Sequence, residues 1–333
     1  MIKSTYYQDL TKMNTFRMKV KAKCFIEYDS IADLVDIEFE ELTRPILHIG
    51  GGSNLLFTED FKGTVLHSKI NFIEILDECP GPEVLVSVGS GVVFDDFCEW
   101  AANEGLWGVD NLSYIPGEVG ASAVQNIGAY GVEVKDVIRK VYCYDTVEEE
   151  FVNFGVEECE YGYRDSIFKD PEFRDRYIVT HVVFALSRTP QPRLEYGHLK
   201  EAVDCHFDRA ERVEKSLTPA LIRKVIIKIR KEKLPEPSVM GSAGSFFKNP
   251  VITAEHFARI EAATKAELGA DCKVPHYDLP DGTVKVPAAW MIEQCGWKGK
   301  RSGGAAVWEK QPLVIVNYTG EAYPEEIIGL EKR

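Results

Sequence analysis

Hydrophobic and polar positions along this chain alternate between short strand-like runs and helical stripes. Arg44-Pro-Ile-Leu-His-Ile-Gly50 reads as a short apolar strand delivered into a glycine turn, and Val84-Leu-Val-Ser-Val-Gly89 as a second strand. Phe94, Phe97, Cys98 and Ala101 fall at i, i+3, i+4 and i+7, the spacing of an amphipathic helix that ends near Gly105. Runs of β-branched and aromatic residues predict further strands at Val137 to Asp145, Glu150 to Phe154 and Tyr177 to Leu186. A polar stretch, Ser187 to Ser216, separates these from a helix. There Thr218 suits the N-cap and Pro219 the first position, while Ile222, Val225, Ile226 and Ile229 form the buried stripe. Arg230 and Lys233 stand at its C-terminal end, where the helix dipole favours cations, and Pro235 and Pro237 end it and mark a domain boundary. Beyond lie a helix after Thr253, another after Pro287 that turns Ala288, Met291, Ile292 and Cys295 inward, a strand from Leu313 to Asn317, and a last helix from Pro324. There is no internal repeat and no low-complexity segment.

Length and composition narrow the classes. A chain of 333 residues with an ordinary hydrophobic fraction forms two or three domains with sizeable cores. The 53 acidic side chains against 39 basic ones argue against nucleic acid or an anionic membrane as the main partner, and leave room for a small anion met by local cations. No run is long and apolar enough to span a bilayer, and Met1-Ile-Lys-Ser-Thr-Tyr-Tyr lacks the apolar core of a signal peptide, so the expected location is cytoplasmic. The eight cysteines show no Cys-x-x-Cys pair, and neither they nor the seven histidines cluster at metal-ligand spacing; they read as reduced, mostly buried thiols and no metal is expected.

Four segments carry candidate chemistry. Gly50-Gly51-Gly52-Ser53-Asn54 follows a strand, where backbone N–H groups can face an anion, but it lacks both dinucleotide-fold and P-loop spacing; anion nest and plain turn remain level. Ile115-Pro116-Gly117 through Gly131 has four glycines that permit close approach to a planar or diphosphate ligand, with Ser122, Gln125 and Asn126 able to supply directional hydrogen bonds. Gly162-Tyr163-Arg164-Asp165-Ser166 places one guanidinium among turn residues, either as a fork for a carboxylate or as a surface ion pair. In Lys233-Leu-Pro through Gly241-Ser-Ala-Gly244-Ser245-Phe246-Phe247-Lys248-Asn249-Pro250, the Ser245 hydroxyl, held by glycines and flanked by two rings, is expected to be partly dry, and so to need a partner or a task.

These segments, together with Asn14-Thr-Phe-Arg17, Tyr161-Gly-Tyr-Arg-Asp-Ser166 and Gly303-Gly-Ala-Ala306, run along nearly the whole chain in the order seen in the UDP-N-acetylenolpyruvoylglucosamine reductase (UDP-N-acetylmuramate dehydrogenase, MurB) family, which this sequence resembles. The Tyr196 loop looks like the form of that family that folds a tyrosine over its substrate. The resemblance implies an α+β fold: a two-part FAD cradle of the vanillyl-alcohol-oxidase and p-cresol methylhydroxylase type over residues 1–70 and 71–234, and a C-terminal α+β substrate domain over residues 235–333. It implies non-covalent FAD held by Gly50, Gly51, Gly52, Ser53, Asn54, Ile115, Pro116, Gly117, Ser122, Gln125, Asn126, Ile127 and Arg230. It implies a monomeric oxidoreductase of peptidoglycan synthesis, serving cell-wall biogenesis, cell shape and division. In its ping-pong reaction NADPH reduces the flavin at N5, and the flavin then passes hydride to the vinyl terminus of UDP-N-acetylglucosamine enolpyruvate. Arg164 matches the arginine that stabilises the developing charge, and Ser245 the proton donor. Tyr130, Tyr196, Lys233, Lys248, Asn249, Tyr277 and Gln311 match positions that grip the nucleotide sugar. The family also has a C-terminal Leu-x-Pro-Glu-Val-like segment with a catalytic glutamate; this sequence ends at Arg333 without one, and Glu325 and Glu326 do not match it. Two other readings are a different FAD oxidoreductase on the same fold and a catalytically impaired flavin- or nucleotide-sugar-binding relative.

Overall fold

The computed structural model describes residues 1–76, 81–206 and 217–333, and the chain divides into two compact units. The first comprises residues 1–13, 19–53 and 59–232; the second comprises residues 14–18, 54–58 and 233–333. Both mix helix and strand, giving the α+β class.

Two sheets build the first unit. Strands β1 (Lys3–Asp9), β2 (Lys21–Tyr28), β3 (Ile46–Ile49) and β4 (Phe61–Ser68) lie in the order β1-β2-β4-β3, with β2, β4 and β3 parallel and β1 antiparallel at the edge. Parallel β2 and β4 need a crossover, and the short helix α1 (Ile31–Val35), capped by Ser30 Oγ accepting the Asp33 N–H at 3.0 Å, lies within it. The register sets His67 beside Glu27 on one side and Ile49 on the other. The second sheet is antiparallel, with β5 (Ile73–Ile75), β6 (Glu83–Gly89), β9 (Ile138–Asp145), β10 (Glu150–Gly155) and β11 (Tyr177–Ser187) in the order β10-β9-β11-β6-β5; β7 (Gly128–Ala129) and β8 (Val132–Glu133) form a separate hairpin. Central β11 is buried along most of its length. Val182 and Phe184 join Val86, Val88 and Val141 in a core closed by Phe94, Phe97 and Cys98 of α2 (Phe94–Asn103) and by Val119 and Ala123 of α3 (Val119–Gln125). Helices α4 (Leu199–His206) and α5 (Pro219–Lys233) pack Leu199, Val203, Ile222 and Ile226 around Trp107.

In the second unit β12 (Gly241–Ser245), β16 (Arg301–Ser302), β17 (Ala305–Val307) and β18 (Val314–Asn317) form a sheet in the order β12-β18-β17-β16; β13 (Val251–Thr253), β14 (Tyr277–Asp278) and β15 (Thr283–Lys285) form another. Helices α6 (Ala254–Leu268), α7 (Ala288–Gln294) and α8 (Pro324–Glu331) complete it. The Asn14–Arg17 motif belongs here. Asn14 folds its loop by exchanging side-chain hydrogen bonds with both backbone groups of Met18, at 3.1 and 2.9 Å. The Thr15 carbonyl accepts the Ser242 N–H at 2.9 Å, and the Phe16 carbonyl accepts Asn317 Nδ2 at 3.1 Å. A Cβ on Gly241 would stand 2.4 Å from the Phe16 carbonyl oxygen, so only glycine admits this segment.

Most predicted elements appear within a residue or two of their expected ends. Two do not follow the pattern reading. A helix, α4, occupies part of the polar stretch Ser187 to Ser216, because Leu199 and Val203 at i, i+4 supply its buried stripe; residues 207–216 of that stretch lie outside the described residues. Helix α7 ends at Gln294, which leaves Cys295 exposed at its C-cap instead of turned inward; Ala288 is buried, and Trp290 and Met291 pack on Val284 and Val286. Cys24, Cys98, Cys143 and Cys159 are buried free thiols, whereas Cys205 and Cys295 are exposed. Cys79 lies outside the described residues.

Candidate active site

In the first unit the two glycine turns meet. The turn after β3 carries Gly50, Gly51, Gly52 and Ser53, with Gly52 at φ 62°; Ser53 Oγ donates to the Pro116 carbonyl at 2.9 Å. A Cβ on Gly51 would touch Gly117 Cα at 3.5 Å, one on Gly117 would meet Ser53 Oγ at 3.0 Å, and one on Gly50 would meet Ala121 Cβ at 3.1 Å. Bare backbone therefore lines both faces, the requirement of a cradle that admits a diphosphate. The second turn is pinned from behind: the Phe94 N–H donates to the Gly117 carbonyl at 3.0 Å, and the Val119 and Gly120 N–H groups donate to the Val92 and Ser90 carbonyls at 2.9 and 3.0 Å.

The glycine-rich segment that follows is helical in part, because Ala, Ser and Val on α3 pack under the sheet and Gly120 passes against Ser90, where a Cβ would lie 2.8 Å from the serine's own. Its polar side chains have internal tasks. Ser122 Oγ donates to the Val119 carbonyl at 2.7 Å. Asn126 is fully buried in the left-handed region at φ 43°; its Nδ2 donates to the Gly162 carbonyl at 2.8 Å and to Glu133 Oε2 at 3.1 Å, and its Oδ1 accepts the Lys135 N–H at 3.3 Å. Ile115 and Ile127 pack on the core, and Gln125 accepts from Lys169 Nζ at 3.3 Å.

Asn126 thereby fixes the Arg164 loop. Arg164 itself has φ 57°; its Nη1 donates to the Asn126 carbonyl at 3.0 Å and its Nη2 to the Gly128 carbonyl, with Glu133 Oε1 3.6 Å from Nη1. Its own carbonyl accepts Lys169 Nζ at 2.8 Å. The guanidinium is about one-third exposed and is oriented by main-chain acceptors, not by a surface Asp165 pair. Nearby, Tyr130 meets Tyr196 edge-on at 6.5 Å, and Arg230 Nε donates to the Tyr114 carbonyl at 3.0 Å. Burial lowers the Arg230 pKa, opposed chiefly by Tyr130; burial raises the Tyr130 pKa, opposed by Arg230.

Ser245, Lys233, Lys248, Asn249, Tyr277, Gln311 and Asn54 belong to the second unit. Ser245 ends β12 opposite Val314, just after Gly244 at φ 71°. It is exposed, against the expectation of a partly dry hydroxyl: Phe246 packs on Phe247 at 5.5 Å and on Phe16 at 6.3 Å, so the rings face one another and not the hydroxyl. Asn249 Oδ1 accepts the Ala288 N–H at 3.0 Å, capping α7 where Pro287 offers no side-chain acceptor. The Lys233 carbonyl accepts Trp308 Nε1 at 3.0 Å, and Tyr277 lies under Lys285 Nζ at 5.7 Å. No group of His, Cys, Asp or Glu among the described residues is arranged to hold a metal, and no described helix is long and apolar enough to cross a membrane.

Sequence reasoning missed Asn111, Glu133 and Lys169. Asn111 Nδ2 joins the Tyr130 and Arg193 carbonyls at 2.9 and 2.8 Å, tying the base of the Tyr196 loop to the Tyr130 turn. Its one sequence signal is an amide inside the apolar run Leu106 to Leu112.

Two family models match: an FAD binding domain over residues 22–152, and the C-terminal domain of UDP-N-acetylenolpyruvoylglucosamine reductase over residues 236–333. The UDP-N-acetylenolpyruvoylglucosamine reductase of Bacteroides fragilis (strain YCH46) is 48% identical over 96% of this chain and 91% of its own length. That of Porphyromonas gingivalis (strain ATCC 33277) is 44% identical over 96% of this chain and 92% of its own length. The crystal structure of the Thermus caldophilus enzyme superposes with a TM-score of 0.66 at 21% identity, covering 100% of this chain and 94% of that one, a likeness of fold. The two-part cradle, the matched domains and the shared identity place this chain in the UDP-N-acetylenolpyruvoylglucosamine reductase family.

Proposed function

We propose that this chain is an FAD-dependent, NADPH-consuming reductase that converts UDP-N-acetylenolpyruvoylglucosamine to UDP-N-acetylmuramate in peptidoglycan synthesis, working as a monomer in the cytoplasm. The observation that carries the reading is the pairing of the Gly50–Gly52 turn with Gly117, in a chain 48% identical to a reductase of that name. Residues 1–70 and 71–234 divide the cradle, and residues 235–333 serve the nucleotide sugar.

FAD, when bound, would supply the redox chemistry that links NADPH oxidation to reduction of the enol ether's vinyl carbon. Gly50, Gly51, Gly52, Ser53, Asn54, Ile115, Pro116, Gly117, Ser122, Gln125, Asn126, Ile127 and Arg230 would hold FAD, the glycine turns offering bare backbone to its diphosphate. Arg164 stabilises the negative charge that grows toward the substrate carboxylate. With Nη1 and Nη2 already bonded to carbonyls, the fork needs little reorganisation as that charge develops. Ser245 Oγ gives a proton to the carbon that becomes carbanionic; a hydroxyl is a weak acid and serves here because the acceptor is a transient strong base. Tyr130, Tyr196, Lys233, Lys248, Asn249, Tyr277 and Gln311 grip the diphosphate and sugar of the nucleotide sugar.

Steady-state assay of the FAD-loaded protein tests the reading. One UDP-N-acetylmuramate should form per NADPH oxidised. NADPH oxidation by the loaded protein without that product would overturn it.

A further inference from the structure

A buried ionisable cluster reaches the glycine turns from behind. His67, near the end of β4, is 2% exposed, and both of its ring nitrogens face carboxylates. Nδ1 lies 3.2 Å from Glu27 Oε1, its neighbour in register on β2, and Nε2 lies 3.0 Å from Glu118 Oε1. Glu118 follows Gly117 directly and is itself buried; its other oxygen, Oε2, sits 3.3 Å from the position of a Cβ on Gly50. A carboxylate is thus wedged against the turn expected to meet a diphosphate. Left unpaired it would be costly to bury and would repel that ligand. Two ionised carboxylates, which only accept, would both be satisfied by a ring that donates through both nitrogens, and such a ring would also carry the compensating charge. Around the cluster, Lys69 Nζ is 4.0 Å from Glu27, and His48 on β3 is bonded through Nε2 to Tyr28 Oη at 2.7 Å.

We infer that His67 is a positioning residue for the dinucleotide: it clamps Glu118 against the Gly50 turn and cancels its charge, so that the paired glycine turns accept an anionic diphosphate. This rests on the FAD reading above and is separable from it.

The test is FAD binding to apo-protein, followed by quenching of flavin fluorescence. Saturable binding by the unaltered chain establishes the cradle, and its failure would sink the FAD reading whatever the variants do. In His67→Gln the Kd for FAD should rise by about tenfold or more. In His67→Gln with Glu118→Gln, the carboxylate no longer needs cancelling and the Kd should return to within about threefold of the unaltered value. A purely structural role for His67 predicts a double variant that binds no better than the single one, and that result overturns the inference, as would an unchanged Kd in His67→Gln. Should His67→Gln fail to fold by circular dichroism, Glu118→Gln alone decides: it should bind FAD at least as tightly as the unaltered chain, and weaker binding overturns the inference.

Discussion

Arg164 sits in the left-handed region with two carbonyls on its fork, a conformation that non-glycine residues hold only when their surroundings impose it. The sequence made the residue legible as a fork among turn residues, but not what aims it. That depends on Asn126, 38 residues away in sequence, whose carbonyl accepts Arg164 Nη1 and whose buried amide holds the Gly162 carbonyl. Side-chain type is visible in a sequence, whereas its partner depends on where two distant turns come together. Ser245 shows the same limit, because flanking rings could shield a hydroxyl or pack on each other, and here they do the latter. Two predictions belong at this scale. In stopped flow, Arg164→Ala and Ser245→Ala should each leave flavin reduction by NADPH intact and slow reoxidation by the enolpyruvyl substrate by roughly 10²–10⁴-fold; equal loss in both half-reactions would refute these roles. Gly128→Ala should behave like a milder Arg164 variant, since its Cβ would stand 2.7 Å from Arg164 Nη1 and 2.9 Å from the Val132 carbonyl oxygen. Unchanged reoxidation kinetics would show that the anchoring is dispensable.

Helices and strands with clean periodicity were legible: α2, α5 and β11 each declare a buried face by spacing alone. Helix α3 was not, because its glycines and small residues serve close approach to Ser90 and to the facing turn, and mask the helical pattern. Helix α5 is tied to α2 by Arg223, whose Nη2 meets Asp95 Oδ2 at 3.0 Å while Nη1 bonds Oδ1, with the guanidinium almost wholly buried. Asp95→Ala leaves that charge only the more distant Glu99 Oε1, 3.8 Å from Nη2, and should lower stability by about 2–3 kcal/mol in denaturant titration; a loss under about 1 kcal/mol would mean that Glu99 and solvent replace the lost carboxylate. At the other end of the chain Glu326 caps α8, accepting the Tyr323 N–H and the Gly304 N–H, each at 2.9 Å. The bond from Gly304, then that from Tyr323, lowers its pKa below the ordinary 4.5. A carboxylate with a depressed folded-state pKa contributes stability that is complete above its unfolded value and is lost as pH falls. Thermal unfolding should therefore show a destabilisation below about pH 4.5 that shrinks in Glu326→Gln. An identical acid limb in the variant would remove Glu326 from that dependence.

At the scale of the whole molecule, the excess of 53 acidic over 39 basic side chains is reconciled with an anionic cofactor and substrate by local devices: paired glycine turns, a fork held by carbonyls, and a buried imidazole against Glu118. The family was legible because several long motifs stand in order along the chain. That residues 14–18 and 54–58 join the second unit was not legible: nothing local marks residues 14–18 as hydrogen-bonding to Ser242 and Asn317, more than 200 positions away, or residues 54–58 as leaving the first unit. The most direct test of the central claim is an anaerobic visible spectrum of the FAD-loaded chain, recorded as NADPH and then the enolpyruvyl nucleotide sugar are added. The flavin band should bleach with NADPH and return with the sugar. A band that NADPH does not bleach, or that stays bleached when the sugar arrives, would contradict the assignment of this chain as the reductase.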